Sequence, residues 1–86
     1  GVYATHVLLK QASPLLSKLG YQPSIIDIHH IHKRDAPSGT ALALKDTLLE
    51  FFPGGTIPIE SQREGEVVGD HQNIFEGSGD KIIIQH

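Results

Sequence analysis

Apolar and polar positions repeat on two different periods along this chain, and the change of period divides it. From residue 3 to 19 the apolar positions recur at spacings of three and four. Leu8, Ala12, Leu15 and Leu19 fall on one stripe, the mark of an amphipathic helix. Gly20 is a natural stop just beyond it. Pro14 lies inside the pattern, where it removes an intrahelical hydrogen bond and crowds the preceding turn at a cost of ~3 kcal/mol. The stripe continues in phase past Pro14, so one helix kinked at Gln11 to Ser13 is expected over two short ones.

Residues 22–30 read as a strand, short and rich in isoleucine (Ile25, Ile26, Ile28) and preceded by Gly20 and Pro23. Pro37 pushes Ala36 out of helical geometry, so residues 35–39 form a loop. A second helix follows over 39–51. Ser38 is placed to cap it, and Ala41, Leu44, Leu48 and Phe51 or Phe52 form its buried stripe. Lys45, Asp46 and Glu50 face water. Pro53-Gly54-Gly55 ends it.

The last third turns to period two. Residues 57–63, 66–76 and 81–85 are strand candidates, with Glu64-Gly65-Glu66 and Gly77-Ser78-Gly79-Asp80 as hairpin turns. Ile59, Ser61 and Arg63 alternate with Glu60, Gln62 and Glu64, so one face is polar. That suits a sheet with helices on one side and solvent or another subunit on the other. Gly69 inside a strand suggests a bulge or close packing. The expected fold is α+β: a mostly antiparallel or mixed four-stranded sheet with two helices on one face, as a single domain over 1–86.

Composition narrows the function classes. A formal charge of −3, with 7 Lys plus Arg spread along the chain, argues against a nucleic-acid partner. No apolar run approaches the ~20 residues that span a bilayer, so no membrane partner is expected. There is no cysteine, which excludes thiolate metal sites and favours a cytoplasmic setting. The chain starts at Gly1 without an initiator Met and stops at His86 directly after a strand-like run. It therefore reads as a piece of a longer protein.

The chemistry gathers in residues 27–41. Half of the 6 histidines, His29, His30 and His32, fall in four consecutive positions, followed by Lys33-Arg34-Asp35 and then Pro37-Ser38-Gly39-Thr40. Asp27, His29, Ile31 and Lys33 share one strand face; Ile28, His30 and His32 share the other. His29 and Lys33 are ~13 Å apart on an extended strand. For both to serve one small substrate the chain must turn just after His30. The first amides of a helix have no internal partner and sit at the positive end of its dipole. With Gly39 allowing approach and Thr40 adding a hydroxyl, that start is a receptor for carboxylate or phosphate. A nearby His can carry a proton at neutral pH, and a nearby Lys adds charge. Taken singly, each part has a plain explanation: Ser38-Gly39-Thr40 is a cap, and neighbouring histidines are surface or core residues. Their co-location raises the functional reading. His30 and His32 could also be two ligands of Zn(II) or Ni(II), but no third ligand sits at matching spacing, so no metal is expected. His71 and Glu76 flank a strand that could reach this region; the plain reading leaves them exposed.

The run HHIHKRDAPSGTA closely resembles the signature of the 4-hydroxy-tetrahydrodipicolinate reductase (dihydrodipicolinate reductase) family. GEVVGDHQNIFEGSGDKIIIQH resembles that family's glycine-containing strand, GxH element and last strand. The resemblance is strong over 27–44 and 64–86 and weak over 1–24. It implies an oxidoreductase of diaminopimelate and lysine biosynthesis, with this chain as the C-terminal substrate-binding and tetramerising domain. It implies His29 as proton donor/acceptor and Lys33 as proton donor. His30, Gly39 and Thr40 would bind the carboxylates of a small cyclic dicarboxylate. NADPH or NADH would be held mainly by an N-terminal Rossmann domain absent here, where no glycine-rich dinucleotide fingerprint occurs. The resemblance also implies a homotetramer packed through the polar sheet face. One departure is that Asp27 stands where the family commonly has Glu. Two alternatives stay open: a non-catalytic dicarboxylate-binding or assembly module, and a His-based metal site.

Overall fold

The computed structural model describes residues 2–31, 36–66 and 69–86. Helix α1 (Val2–Lys18) leads into strand β1 (Gln22–His29), helix α2 (Gly39–Leu49) and strands β2 (Ile59–Arg63), β3 (Asp70–Glu76) and β4 (Lys81–Gln85). The sheet order is β2-β1-β3-β4. β1 runs parallel to β2 and antiparallel to β3, and β3 is antiparallel to β4. This is the expected α+β fold with a mixed four-stranded sheet.

α1 is one continuous helix through Pro14, which stands exposed. Its end follows the sequence signal. Gly20, at φ 85°, takes the left-handed conformation, and the amides of Gly20 and Tyr21 bond back to Ser17 and Leu16 carbonyls. Its phase does not follow the expectation. The buried stripe is Thr5, Leu9, Ser13 and Leu16, whereas Leu8, Leu15 and Leu19 are 50%, 59% and 61% exposed. The helix carries two leucine stripes one residue apart, and periodicity alone cannot choose between them. The small Thr5 and Ser13 side chains let the narrower stripe pack closely in the interior, so volume rather than leucine count sets the phase.

The second correction concerns Glu64-Gly65-Glu66, which is not a hairpin turn. β2 and β3 do not pair; β1 lies between them. The isoleucine-rich strand takes the centre and bonds on both edges, while the polar β2 is left at the rim, where exposed charge is tolerated. The segment after β2 stays tied to β1, with Glu64 N–H bonded to His29 O at 2.8 Å and Ile31 N–H to Gly65 O at 3.3 Å. The expected turn over 77–80 does join β3 to β4, closed by Gly77 N–H to Asp80 O at 2.9 Å.

Both helices cover the same sheet face. The core joins Leu9 and Leu16 of α1, Ala41, Leu44 and Leu48 of α2, and Phe52, Ile57, Ile25 and Phe75. Along β1 the buried positions alternate: Pro23, Ile25, Asp27 and His29 face the helices. Ile26 and Ile28 lie on the opposite face with Ile83, which is 47% exposed. Among the described residues, no helix is long and apolar enough to cross a membrane.

Candidate active site

The candidate site lies where β1 ends and α2 begins. β1, α2 and β2 form a parallel crossover, and in such units the carboxyl ends of the strands and the helix N-terminus converge on one edge. His29 ends β1, and Arg63, its neighbour in register, ends β2. Ser38 caps α2, its hydroxyl accepting from Ala41 N–H at 3.1 Å. The antiparallel pairing adds a third element by setting His71 of β3 directly opposite Asp27. Cross-strand partners on one face are close neighbours, so topology delivers a distant histidine to the cluster.

The cluster is centred on Asp27, which is fully buried. Its Oδ1 lies 2.5 Å from His29 Nε2, 3.1 Å from His71 Nε2 and 3.1 Å from Ser38 Oγ. Its Oδ2 accepts from Ser38 N–H at 2.8 Å. An ionised carboxylate only accepts, so each neighbour must donate. Both histidines therefore carry a proton on Nε2, and both present Nδ1 as the second nitrogen. His71 Nδ1 is buried and, among the described residues, has no hydrogen-bond partner. The two rings meet edge to face, with centroids 5.4 Å apart. The remaining edge of His29 abuts Gly69: a Cβ there would lie 3.4 Å from both Nδ1 and Cε1. That is ordinary van der Waals distance, so the φ of 151° rather than close packing favours glycine at Gly69, which lies just before β3 and not inside a strand.

Burial alone would push the Asp27 carboxyl up. The Ser38 amide and hydroxyl, and the charge and hydrogen bond of His29, outweigh it and hold Asp27 below the usual carboxylate value. His71 is shifted down. Burial favours its neutral ring, and the His29 charge adds to that, against the pull of Asp27. Both shifts favour an ionised Asp27 beside a neutral His71.

Of the residues expected from sequence, His29 is buried in this cluster, and Gly39 and Thr40 open the helix that Ser38 caps. Among the described residues, a Cβ on Gly39 would meet nothing within 4 Å. His30 follows directly after β1, half-buried, on the other side of the strand's alternation. Lys33 and His32 lie outside the described residues. Glu76 is exposed at the far end of β3, paired with Gln22. His71 is the correction: it is buried in the site rather than exposed. Asp27, Ser38 and His71 are the members of this cluster that sequence reasoning undervalued. One signal was available: ionisable Asp27 and His29 occupy the buried phase of an isoleucine-rich strand.

Asp27, His29 and His71 also form a possible metal ligand set, their donor atoms within 4.8 Å of one another. Two ligands on one Zn(II), at ~2.0–2.1 Å bonds and tetrahedral angles, stand roughly 3.3 Å apart. His29 Nε2 and Asp27 Oδ1, 2.5 Å apart, are closer than that and in hydrogen-bond contact with each other. As for a dinucleotide, the turn from β1 into α2 carries histidines and Ser38-Gly39-Thr40 rather than a glycine-rich phosphate loop. The described residues of this turn do not fit that group.

Known proteins share this architecture and sequence. The family described as "Dihydrodipicolinate reductase, C-terminus" matches residues 1–86. The 4-hydroxy-tetrahydrodipicolinate reductases of Cupriavidus metallidurans and Polynucleobacter necessarius are 40% and 38% identical over 105 residues, covering 100% of this chain. The chain spans 39% of the length of each. A dipicolinate-bound dihydrodipicolinate reductase from Paenisporosarcina sp. TG-14 superposes with a TM-score of 0.80 at 25% identity, over 100% of this chain and 40% of that one. Sequence signature, fold and whole-chain similarity agree: this chain belongs to the dihydrodipicolinate reductase C-terminal domain family.

Proposed function

We propose that this chain is the substrate-binding and assembly domain of an NAD(P)H-dependent reductase that forms tetrahydrodipicolinate on the diaminopimelate route to lysine. One observation carries the reading. A buried carboxylate, Asp27, is shared between an acid–base residue, His29, and the Ser38 amide that opens α2. Proton chemistry and an anion-attracting helix start are thereby fixed a few ångströms apart. The hydride would come from the nicotinamide, held mainly by an N-terminal dinucleotide-binding domain.

The residues of this chain would do the rest. His29 exchanges a proton with the substrate, and Lys33 donates one. His30 and the first-turn residues Gly39 and Thr40 hold the carboxylates, drawing on amides that helix geometry leaves unpaired. The planar dicarboxylate named for the Paenisporosarcina relative supports this substrate class. The half-buried isoleucines Ile26 and Ile28 on the sheet face away from the helices support a homotetramer packed through that face.

The test uses the full-length protein. Titration with pyridine-2,6-dicarboxylate should show binding, and reductase activity should appear with NADH or NADPH. His29→Gln or Lys33→Ala should lower kcat by about 10²–10⁴-fold, the usual worth of general acid–base groups. A double variant with normal rates would overturn these roles. Binding without turnover in the wild type would favour the non-catalytic dicarboxylate module.

A further inference from the structure

We infer that Asp27 is the positioning residue for His29: it fixes Nε2 as the buried nitrogen and leaves Nδ1, on the edge facing Gly69, as the nitrogen that exchanges protons. The inference rests on the proposed role of His29 as the proton-exchanging group and assigns the atoms through which that role runs.

Three observations carry it. The first is the cost of Asp27 itself. A fully buried carboxylate forfeits several kcal/mol of hydration, which a strand of isoleucines has no need to bear. Here four donors satisfy it, and the shortest contact, at 2.5 Å, is with His29 Nε2. An acid–base ring oriented by a third group is the recurring arrangement of such sites.

The second is the surroundings of the other nitrogen. The Nδ1 and Cε1 edge of His29 lies against Gly69, a residue with no side chain that is itself exposed. The ring is buried at Nε2 and bounded at Nδ1 by a surface glycine, so Nδ1 is the nitrogen nearer a ligand arriving from outside. The third is His71. Its Nε2–H donates to the same Asp27 oxygen, and the ring is buried with Nδ1 unpartnered among the described residues. A neutral His71 stabilises the carboxylate without neutralising it, so the single negative charge of Asp27 is available to the His29 imidazolium.

The proton step then balances within the ring. Protonated His29 gives up Nδ1–H to the substrate atom being protonated, and the N–H bonding pair stays on Nδ1 as its lone pair. Nε2–H remains bonded to Asp27 throughout. Reprotonation from solvent at Nδ1 restores the starting state. With the carboxylate gone, the ring could take the opposite tautomer and offer Nε2, which points into the protein.

The competing explanation is that Asp27 only braces the junction of β1 and α2 through Ser38. The experiment uses the full-length enzyme with ¹⁵N-labelled histidine, comparing wild type, Asp27→Asn, Asp27→Glu and the core variant Ile25→Val. In the wild type at a pH where the ring is neutral, ¹⁵N shifts should show His29 with Nε2–H and a bare Nδ1. Asp27→Asn should lower kcat by about 10²–10⁴-fold, the scale seen when a carboxylate no longer sets a catalytic tautomer. Its His29 should shift toward the Nδ1–H form, with affinity for pyridine-2,6-dicarboxylate within about threefold of wild type. Asp27→Glu should recover at least tenfold of the lost rate. Ile25→Val, which weakens the core by a similar class of local change, should leave kcat intact.

Normal turnover in Asp27→Asn would overturn the inference, as would a fall in kcat with the His29 tautomer unchanged. If Asp27→Asn does not fold, the wild-type spectrum still decides, since His29 with Nδ1–H contradicts the assignment. Failure of the underlying reading looks different. A wild-type protein with neither turnover nor dicarboxylate binding removes the reductase, whatever the tautomer.

Discussion

The central strand buries one face along its whole length, yet the two halves of that face are built from opposite chemistry. Its first half presents Pro23 and Ile25 to the helices, and its second half presents Asp27 and His29. The neighbouring strand repeats the division. Phe75 stands opposite Pro23, His71 opposite Asp27, and buried Asn73 lies between them at the boundary, opposite Ile25. The apolar half is held by area removed from water, which needs no particular partner. The polar half is held by hydrogen bonds centred on Asp27, whose two oxygens take four donors, and losing one of them exposes its desolvation penalty. Where a strand gives up the first kind of stabilisation for the second, function is the physical reason to look for.

The comparison breaks most visibly at Phe75, the largest of the fully buried side chains. Phe75→Ala should cost about 3–5 kcal/mol, the range for truncating a core aromatic. The expected result is a large drop in the urea midpoint. Dicarboxylate binding in the remaining folded protein should hold, because Phe75 belongs to the apolar half. A loss of binding at constant stability would show that the two halves are not separable.

Acid probes the other half. Both shifted groups in the cluster have folded values below their ordinary ones, so the folded state binds fewer protons than the unfolded state as pH falls. The neutral His71 ring contributes stability that is complete above its ordinary value of 6.5 and declines as pH drops below it. Asp27 adds stability that is complete above its ordinary value of 3.8 and is lost on further acidification. Unfolding free energy should therefore fall in two stages. A His71→Phe variant should lose the first stage and keep the second. A pH profile flat between 7 and 5 in the wild type would contradict the burial of a neutral His71.

The same division explains what could be read from the sequence. β1, α2, the Ser38 cap, the Gly20 stop and the 77–80 turn were legible because each rests on local chemistry: an isoleucine run, a hydroxyl before a helix, a glycine after one. The 27–41 stretch was legible as a candidate site for a similar reason, with His29 and Gly39-Thr40 close in sequence. The partners that complete it were not. His71 reaches Asp27 only through strand pairing, and the segment after Glu64 looks like a hairpin turn until β1 is known to separate β2 from β3. The phase of α1 was missed because the stripe richer in leucine, Leu8, Leu15 and Leu19, is the exposed one, while Leu9 and Leu16 share the buried stripe with the small Thr5 and Ser13.

Ser13 gives the smallest effect and the finest test of that packing argument. It lies on the buried stripe of α1, fully enclosed, and among the described residues its hydroxyl has no hydrogen-bond partner. Size, not polarity, is what the position requires. Alanine keeps the small volume, removes an unsatisfied buried hydroxyl and is the better helix former. Ser13→Ala should therefore raise stability by roughly 0.5–1 kcal/mol, read as a higher urea midpoint at unchanged slope. Ser13→Leu, which restores the hydrophobic character the sequence pattern led one to expect, should instead cost about 1–3 kcal/mol by overpacking. If leucine stabilised and alanine did not, α1 would have to face the core with its other stripe. A polar residue can thus stand inside the apolar half for its volume alone, whereas Asp27 in the other half is held by what it accepts.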